Sequence, residues 1–269
     1  MITHLSVSQL GMYQRCGEQY RRRYIEGESI PPGIAARIGT GVHKAVELNS
    51  RVKKKTGHDL PLDEIKDAAV DGYHEALMEG VYLAPESLPA AREAMAKGRD
   101  TAVALAGLYR ETLAPLIMPE LIEEKITLTL PGVALPIVTI LDCYTQDWVL
   151  RDLKTSGRKW SAERADTSPQ PTLYREAVKL ASGQYPEAMV FDVLVSTKTP
   201  QVQTLATQRT TEDLEILGKQ FAGMLQSVEA GNFPAAQPGS WVCSSTWCGY
   251  WWSCPYIPEH RKTLPKKTA

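Results

Sequence analysis

The chain has 269 residues, of which 43% are hydrophobic and 23% charged, with a formal net charge of −1. That is material for one large core or two smaller ones, and a near-neutral total neither requires nor excludes nucleic acid, because binding depends on local patches. The first residues carry no basic region followed by an apolar core, and no apolar run approaches bilayer length, so neither a secretory leader nor a membrane span is expected and a cytoplasmic compartment is.

In chain order, Ser6 with Gln9 three residues later is a capping-box pattern and predicts a helix start. Leu10, Tyr13, Cys16, Tyr20 and Tyr24 then recur at helical spacing, which predicts one continuous buried stripe. Further helices are expected near 38–55, 63–78 and 90–113. The period then changes. Leu121–Leu130, Val133–Leu141 and Trp148–Leu153 read as an antiparallel meander, with Pro131-Gly132 and Thr145-Gln146-Asp147 as its turns. A helix near 171–181, strands near 188–196 and 202–206 and a long amphipathic helix over 211–230 follow. The tail carries four of the six tryptophans. One α/β domain over residues 1–269 fits this order: a mainly helical part to 115, an α/β core over 116–230 and a cysteine-rich tail over 231–269.

Five cysteines in a cytoplasmic chain point to metal or cluster binding more than to disulfides. Cys143 lies in an apolar strand and reads as a small buried hydrophobe. Cys16 near the start and Cys243, Cys248 and Cys254 near the end supply the four thiolates that close a tetrahedral Zn²⁺ or an iron–sulfur cluster.

The second predicted strand ends at Asp142, and the third holds Asp152 and Lys154 two residues apart, hence on one face. Two carboxylates and an amino group at one sheet edge suit metal-assisted hydrolysis of a phosphodiester. His43 opens a helical segment after Gly39-Thr40-Gly41 and is a candidate further ligand, with Glu47 one turn on as its orienting partner. Gln170 and Tyr174 share a face of the helix after the meander. Arg15, Arg21, Arg22 and Arg23, and Arg51, Lys53, Lys54 and Lys55, are candidate phosphate contacts. The stretch 157–169 is expected to be a mobile loop whose Trp160 either stacks on a base or packs on the protein.

Together these residues resemble the PD-(D/E)XK nuclease superfamily in its RecB-type, CRISPR-adaptation-type exonuclease branch with an iron–sulfur cluster. The resemblance rests on Ser8-Gln9-Leu10 with Tyr13, Cys16 and Tyr20, on Gly39 to His43, on Asp142, on Asp152-Leu153-Lys154-Thr155, on Gln170 with Tyr174, and on the cysteine triplet. It implies a restriction-endonuclease-like core, a mixed central sheet flanked by helices. It implies His43, Asp142 and Asp152 as ligands of Mg²⁺ or Mn²⁺, with the Leu153 carbonyl as a fourth. Lys154 would position the attacking water, and Gln170 and Tyr174 would shape the site and contact DNA. Cys16, Cys243, Cys248 and Cys254 would hold a 4Fe–4S cluster that staples the tail to the first helix, with Zn²⁺ as its competitor. Four residues separate Cys243 from Cys248 where relatives often have two.

The resulting expectation is a metal-dependent DNA exonuclease acting on single strands or duplex ends. Its setting would be recombination, repair or spacer acquisition in a bacterium, archaeon or virus, as a homo-oligomer or with recombination or CRISPR partner proteins. Its rivals are a structure-selective endonuclease on the same core, a silent DNA-binding or assembly subunit, and a zinc-stabilised interaction domain.

Overall fold

The computed structural model describes residues 2–237 and 239–262, so the end of the predicted tail, 263–269, lies outside the described residues. Helix α1 (Val7–Arg15) starts where Ser6 accepts the Gln9 N–H at 3.3 Å. The predicted continuous stripe does not form. Cys16 is extended, with φ −164° and ψ 102°, and the chain restarts as α2 (Gly17–Tyr20), which runs into a π-helical turn over Arg21–Ile25. The cause is the tail, which crosses at this point. The Gly17 N–H donates to the Pro234 carbonyl at 2.7 Å, and a Cβ on Gly17 would stand 2.7 Å from the Phe233 carbonyl carbon.

Three long helices follow: α3 (Ile34–Thr56), α4 (Leu62–Met78) and α5 (Ala91–Thr112). Strands β1 (Pro119–Leu128), β2 (Ile137–Thr145) and β3 (Val149–Ser156) form the meander. Strand β2 is displaced along the sequence from its predicted range, since Pro136 has no N–H to give a ladder and pairing starts after it. Asp142 therefore sits inside β2, not at its end. Next come α6 (Ala162–Asp166), α7 (Gln170–Ser182), β4 (Ala188–Val195), β5 (Gln201–Thr207) and α8 (Thr211–Glu229). Thr210 and Asp213 close a reciprocal capping box on α8.

The sheet is five-stranded in the order β1-β2-β3-β4-β5, antiparallel except for the parallel β3–β4 pair. It is a mixed sheet between two helical layers. On one face, Val42, Ala45, Ile65, Tyr73, Leu105 and Tyr109 of α3, α4 and α5 pack with Leu153 and Leu194. On the other, Leu10, Tyr20, Leu173, Val178, Leu217 and Phe221 of α1, α2, α7 and α8 pack with Leu141, Tyr144 and Leu150. Among the described residues no helix is long and apolar enough to cross a membrane.

Helix α3 is seated by small residues. A Cβ on Gly41 would meet the Ala69 carbonyl and the Tyr73 Cβ of α4, each at 2.9 Å. Gly11 in α1 has nothing within 4 Å of such a Cβ. Helix propensity alone favours alanine at both positions by about 0.5–1 kcal/mol. Thermal unfolding should separate them: Gly11→Ala raises the Tm, whereas Gly41→Ala lowers it by a few degrees because α3 must move off α4. Equal shifts of the same sign would disprove this account of the α3–α4 contact.

Candidate active site

The site forms where β2 and β3 part. Their recorded pairs are Cys143↔Arg151 and Tyr144↔Leu150 alone, close to the turn. Beyond them the Asp142 carboxylate enters the gap, and its Oδ2 accepts the Leu153 N–H at 2.9 Å. The Leu153 carbonyl lies 3.0 Å from His43 Nε2 on α3, so Nε2 carries the proton and donates. That leaves Nδ1 turned to Glu123 Oε1 at 3.7 Å and Asp142 Oδ2 at 3.8 Å. The far end of the freed β2 edge is taken by the N-terminal segment, where Leu5 bonds Pro136 and Val138 at 2.9 and 2.8 Å.

Glu123 was not expected from the sequence. Leu121 and Ile126 pack into the same core although they are an odd number of residues apart, so β1 changes face between them. The change falls at Glu123, whose φ is +47°, a left-handed value that costs a non-glycine residue energy. Leu141 and Tyr144 on β2 show the same odd spacing within that core, on either side of Asp142. The two facing irregularities bring Glu123 and Asp142 together. His43, Glu123 and Asp142 each offer a ligand atom, and all three lie within 4.8 Å of one another. The available signal was the adjacent acids Glu123-Glu124 in a strand opposite Asp142, which alternation alone does not resolve.

Asp152 stands outside that trio at this distance. It is 2% exposed, and its Oδ2 lies 2.5 Å from Lys154 Nζ, an ion pair without the geometry of a directed hydrogen bond. Asp152 Oδ1 is buried without a well-formed hydrogen bond among the described residues. The Tyr174 hydroxyl is beside this carboxylate, and Gln170 Nε2 donates to that hydroxyl at 3.1 Å. Helix α7 thus supports Asp152 from one layer while α3 brings His43 from the other.

The electrostatics are tense. Burial pushes Asp152 up to about 6, against the pull of Lys154 and with the push of Asp142. Burial also raises Asp142, opposed by His43 and Lys154. Burial works against a charged His43, but the reach of Glu123 and the charge of Asp142 outweigh it and its pKa is raised. Tyr174 is held well above the usual phenol range by burial and then by the two aspartates.

Several expected roles fall elsewhere. Glu47 pairs with Arg51 at 2.7 Å, not with His43. The Leu153 carbonyl is engaged by His43. Arg21 is taken by Glu18 at 2.7 Å and by Glu26, and Arg22 by Glu28 at 2.7 Å. Arg23 donates to the Ile30 carbonyl at 3.3 Å. Lys53 is buried against Asp59 at 3.0 Å, and Lys54 meets Glu120. The stretch 157–169 contains α6, and Trp160 packs on Phe191 with ring centroids 5.2 Å apart.

The four predicted cysteines meet at a second place. Cys16, Cys243, Cys248 and Cys254 all line one cavity of about 530 Å³ between α2 and the tail. The Ala236 N–H points to Cys16 Sγ at 3.4 Å, and Gln19 Nε2 donates to Cys248 Sγ at 3.2 Å. Burial raises the Cys243 and Cys248 thiols, and neighbouring cysteine charges raise them further. Among the described residues no three of these sulfurs lie within 4.8 Å of one another. Cys143 lies apart from them, half-buried, its thiol pushed up to about 12 by desolvation.

Comparison with known proteins accords with this geometry. The profile of the PD-(D/E)XK nuclease superfamily matches residues 4–255, and the chain belongs to that superfamily. No curated protein sequence matches the chain. Among solved structures, the crystal structure of a "putative exonuclease" from Eubacterium rectale superposes with a TM-score of 0.59 at 14% identity, covering 99% of this chain and 91% of that one. Members of the superfamily are metal-dependent nucleases. The residues fit such an ion: carboxylate oxygens and one imidazole nitrogen converge in a half-buried cleft, and Asp152, whose charge acts on them, keeps an unsatisfied oxygen.

The raised Asp152 gives a pH test on chelated protein. An acid whose folded pKa is raised adds stability below its unfolded value, and that contribution is lost as pH rises through about 6. Asp152→Asn removes the titration. The Tm of the variant minus that of the wild type should therefore grow by a few degrees, about 1–3 kcal/mol, between pH 4 and pH 7. A difference that stays constant over that range would count against a raised Asp152.

Proposed function

We propose that this chain is a Mg²⁺- or Mn²⁺-dependent deoxyribonuclease that works as an exonuclease on single strands or duplex ends. The observation that carries the reading is the gap between β2 and β3, where His43, Glu123 and Asp142 converge beside the Asp152–Lys154 pair. The likeness in fold to a structure named as an exonuclease supports the mode of attack.

His43, Asp142 and Asp152 hold the cation, and Glu123 joins them. A divalent ion held there polarises the phosphodiester and makes water a better nucleophile near neutral pH. His43 serves through Nδ1, because its Nε2 proton is fixed on the Leu153 carbonyl. Lys154 positions the attacking water, and Asp152 fixes the Lys154 amino group. Gln170 holds the Tyr174 hydroxyl beside the Asp152 carboxylate, and the two residues shape the site that receives the DNA. The DNA is processed in the cytoplasm of a bacterial, archaeal or virus-infected cell, in recombination, repair or spacer acquisition.

We also propose that Cys16, Cys243, Cys248 and Cys254 hold a 4Fe–4S cluster with a structural role. Tetrahedral zinc at ~2.3 Å per sulfur needs sulfurs roughly 3.8 Å apart. The volume of the cavity these four cysteines line suits a group larger than a single ion. N–H groups aimed at Cys16 and Cys248 would hydrogen-bond the ligand sulfurs of such a cluster.

Cleavage of end-labelled single- and double-stranded DNA with Mg²⁺ and Mn²⁺ tests the first reading. Wild type should release products from the ends and spare circular single strands, and Asp152→Ala should lose at least about 10³-fold in rate while staying folded. Equal cleavage by both proteins would refute the assigned site, and linearised circles would replace exonuclease with endonuclease. For the cysteines, anaerobically purified protein should be brown, and Cys254→Ala should lose the colour and several degrees of Tm. A colourless protein with stoichiometric zinc would remove the cluster.

A further inference from the structure

The basic side chains of this chain fall into two groups. Those first suspected of touching DNA are largely consumed by the protein itself: Arg21, Arg22, Arg51, Lys53 and Lys54 all sit in ion pairs. Directly after the strand that carries Asp152 and Lys154, three cations behave differently. Arg158, Lys159 and Arg164 are exposed, and among the described residues none forms an ion pair. We propose that these three residues form a phosphate-binding patch that grips the backbone of the strand being cut. The proposal rests on the nuclease reading and names the contact that holds the substrate beside the site.

The patch is built, not merely exposed. The Arg164 guanidinium lies 4.0 Å from the centroid of the Trp160 ring. Trp160 is itself fixed: its backbone N–H donates to Gln203 Oε1 and its backbone carbonyl accepts from Gln203 Nε2, both at 2.9 Å, and its ring rests on Phe191. The ring is a pedestal that aims a cation, and its face is already covered by Arg164, so base stacking is not its role. Arg158 is anchored through its backbone, which bonds the Ser156 hydroxyl at 2.7 and 3.3 Å, so its side chain is free. The two guanidiniums feel each other: burial and then the Arg158 charge lower the Arg164 pKa.

Nearby acids do not neutralise the group. Asp166 is turned to the Thr207 hydroxyl at 3.0 Å, and Glu163 alone remains among three cations in the 158–164 stretch. Like charges gathered without a partner call for an external anion. The position selects which one. Arg158 follows Lys154 by four residues, at most about 14 Å of extended chain. That spans only a few nucleotides at roughly 3.4 Å rise each. A phosphodiester backbone threaded past Lys154 reaches this patch next, and guanidinium forks match its oxygens.

The test is fluorescence anisotropy with a labelled single-stranded oligonucleotide in chelator, so that nothing is cut, over a series of salt concentrations. Arg158→Gln and Arg164→Gln should each weaken binding several-fold, and the double variant should lower the salt slope by about 1.4, roughly 0.7 per lost phosphate contact. In cleavage with Mg²⁺, the double variant should raise KM more than it lowers kcat. Trp160→Ala should mimic Arg164→Gln and add nothing to it. Arg158→Gln has no side-chain partner to lose, so it reports on binding even if changes at Arg164 disturb the fold. Affinity and salt slope unchanged in the double variant would overturn the proposal, while cleavage abolished only by Asp152→Ala would leave the nuclease reading standing. A wild type that cuts nothing, yet whose salt slope depends on Arg158 and Arg164, would sink the nuclease reading and keep the patch.

Discussion

Within a β-strand the N–H and C=O of one residue point to the same neighbour. In β3 the residue whose two groups face β2 beyond the turn is Leu153, and neither group finds a backbone partner there. Its N–H goes to the Asp142 carboxylate and its C=O to the His43 ring. This exchange of ladder bonds for side-chain bonds holds two strands apart without leaving buried backbone unsatisfied. The rest of the centre follows from it. The gap admits Glu123 from β1, and Asp152 and Lys154 lie close enough for their charges to act on Asp142 and His43. It also frees the β2 edge that Leu5 then covers, so the N-terminal segment is fixed by the same opening.

The centre is kept at a cost in local stability. Glu123 holds a left-handed backbone in mid-strand, and buried acids crowd Asp142 and Asp152. Strain and like charge of this kind persist only where the surroundings over-determine them. Here the surroundings are two helical layers. Helix α3 is locked on α4 through the contact that Gly41 permits, and α7 is locked over β3 through Leu173, Ala177 and Val178. A divalent cation held among these groups would offset their mutual repulsion.

Much of this architecture was legible in the residues. Apolar patterning located α3, α4, α5 and α8, because each carries one apolar face over many turns. The spacing of Asp152 and Lys154, and of Gln170 and Tyr174, put each pair on one face, and those pairs do meet. What stayed hidden was of another kind. The break at Cys16 is imposed by Phe233 and Pro234, far away in the chain. Glu123 enters the site through a change of face that local alternation cannot announce. The fate of the arginines depended on Glu18, Glu26 and Glu28 lying within reach in space, and a charge run alone does not say which of its members are spoken for.

The contacts of α1 and α2 with the tail join segments about 220 residues apart in the chain. Tyr13 bonds the Asn232 carbonyl, Gly17 bonds Pro234, and Cys16 shares a cavity with cysteines that follow α8. A polypeptide emerges from the ribosome in one direction, and its early segments must wait for late ones. Every residue of the acidic centre is therefore translated before the segment that seals α2 exists. A chain cut short by a premature stop would carry a full set of acidic groups on an unsealed scaffold. Closure of α2 by a segment that follows α8 makes synthesis of that segment a condition for a settled fold.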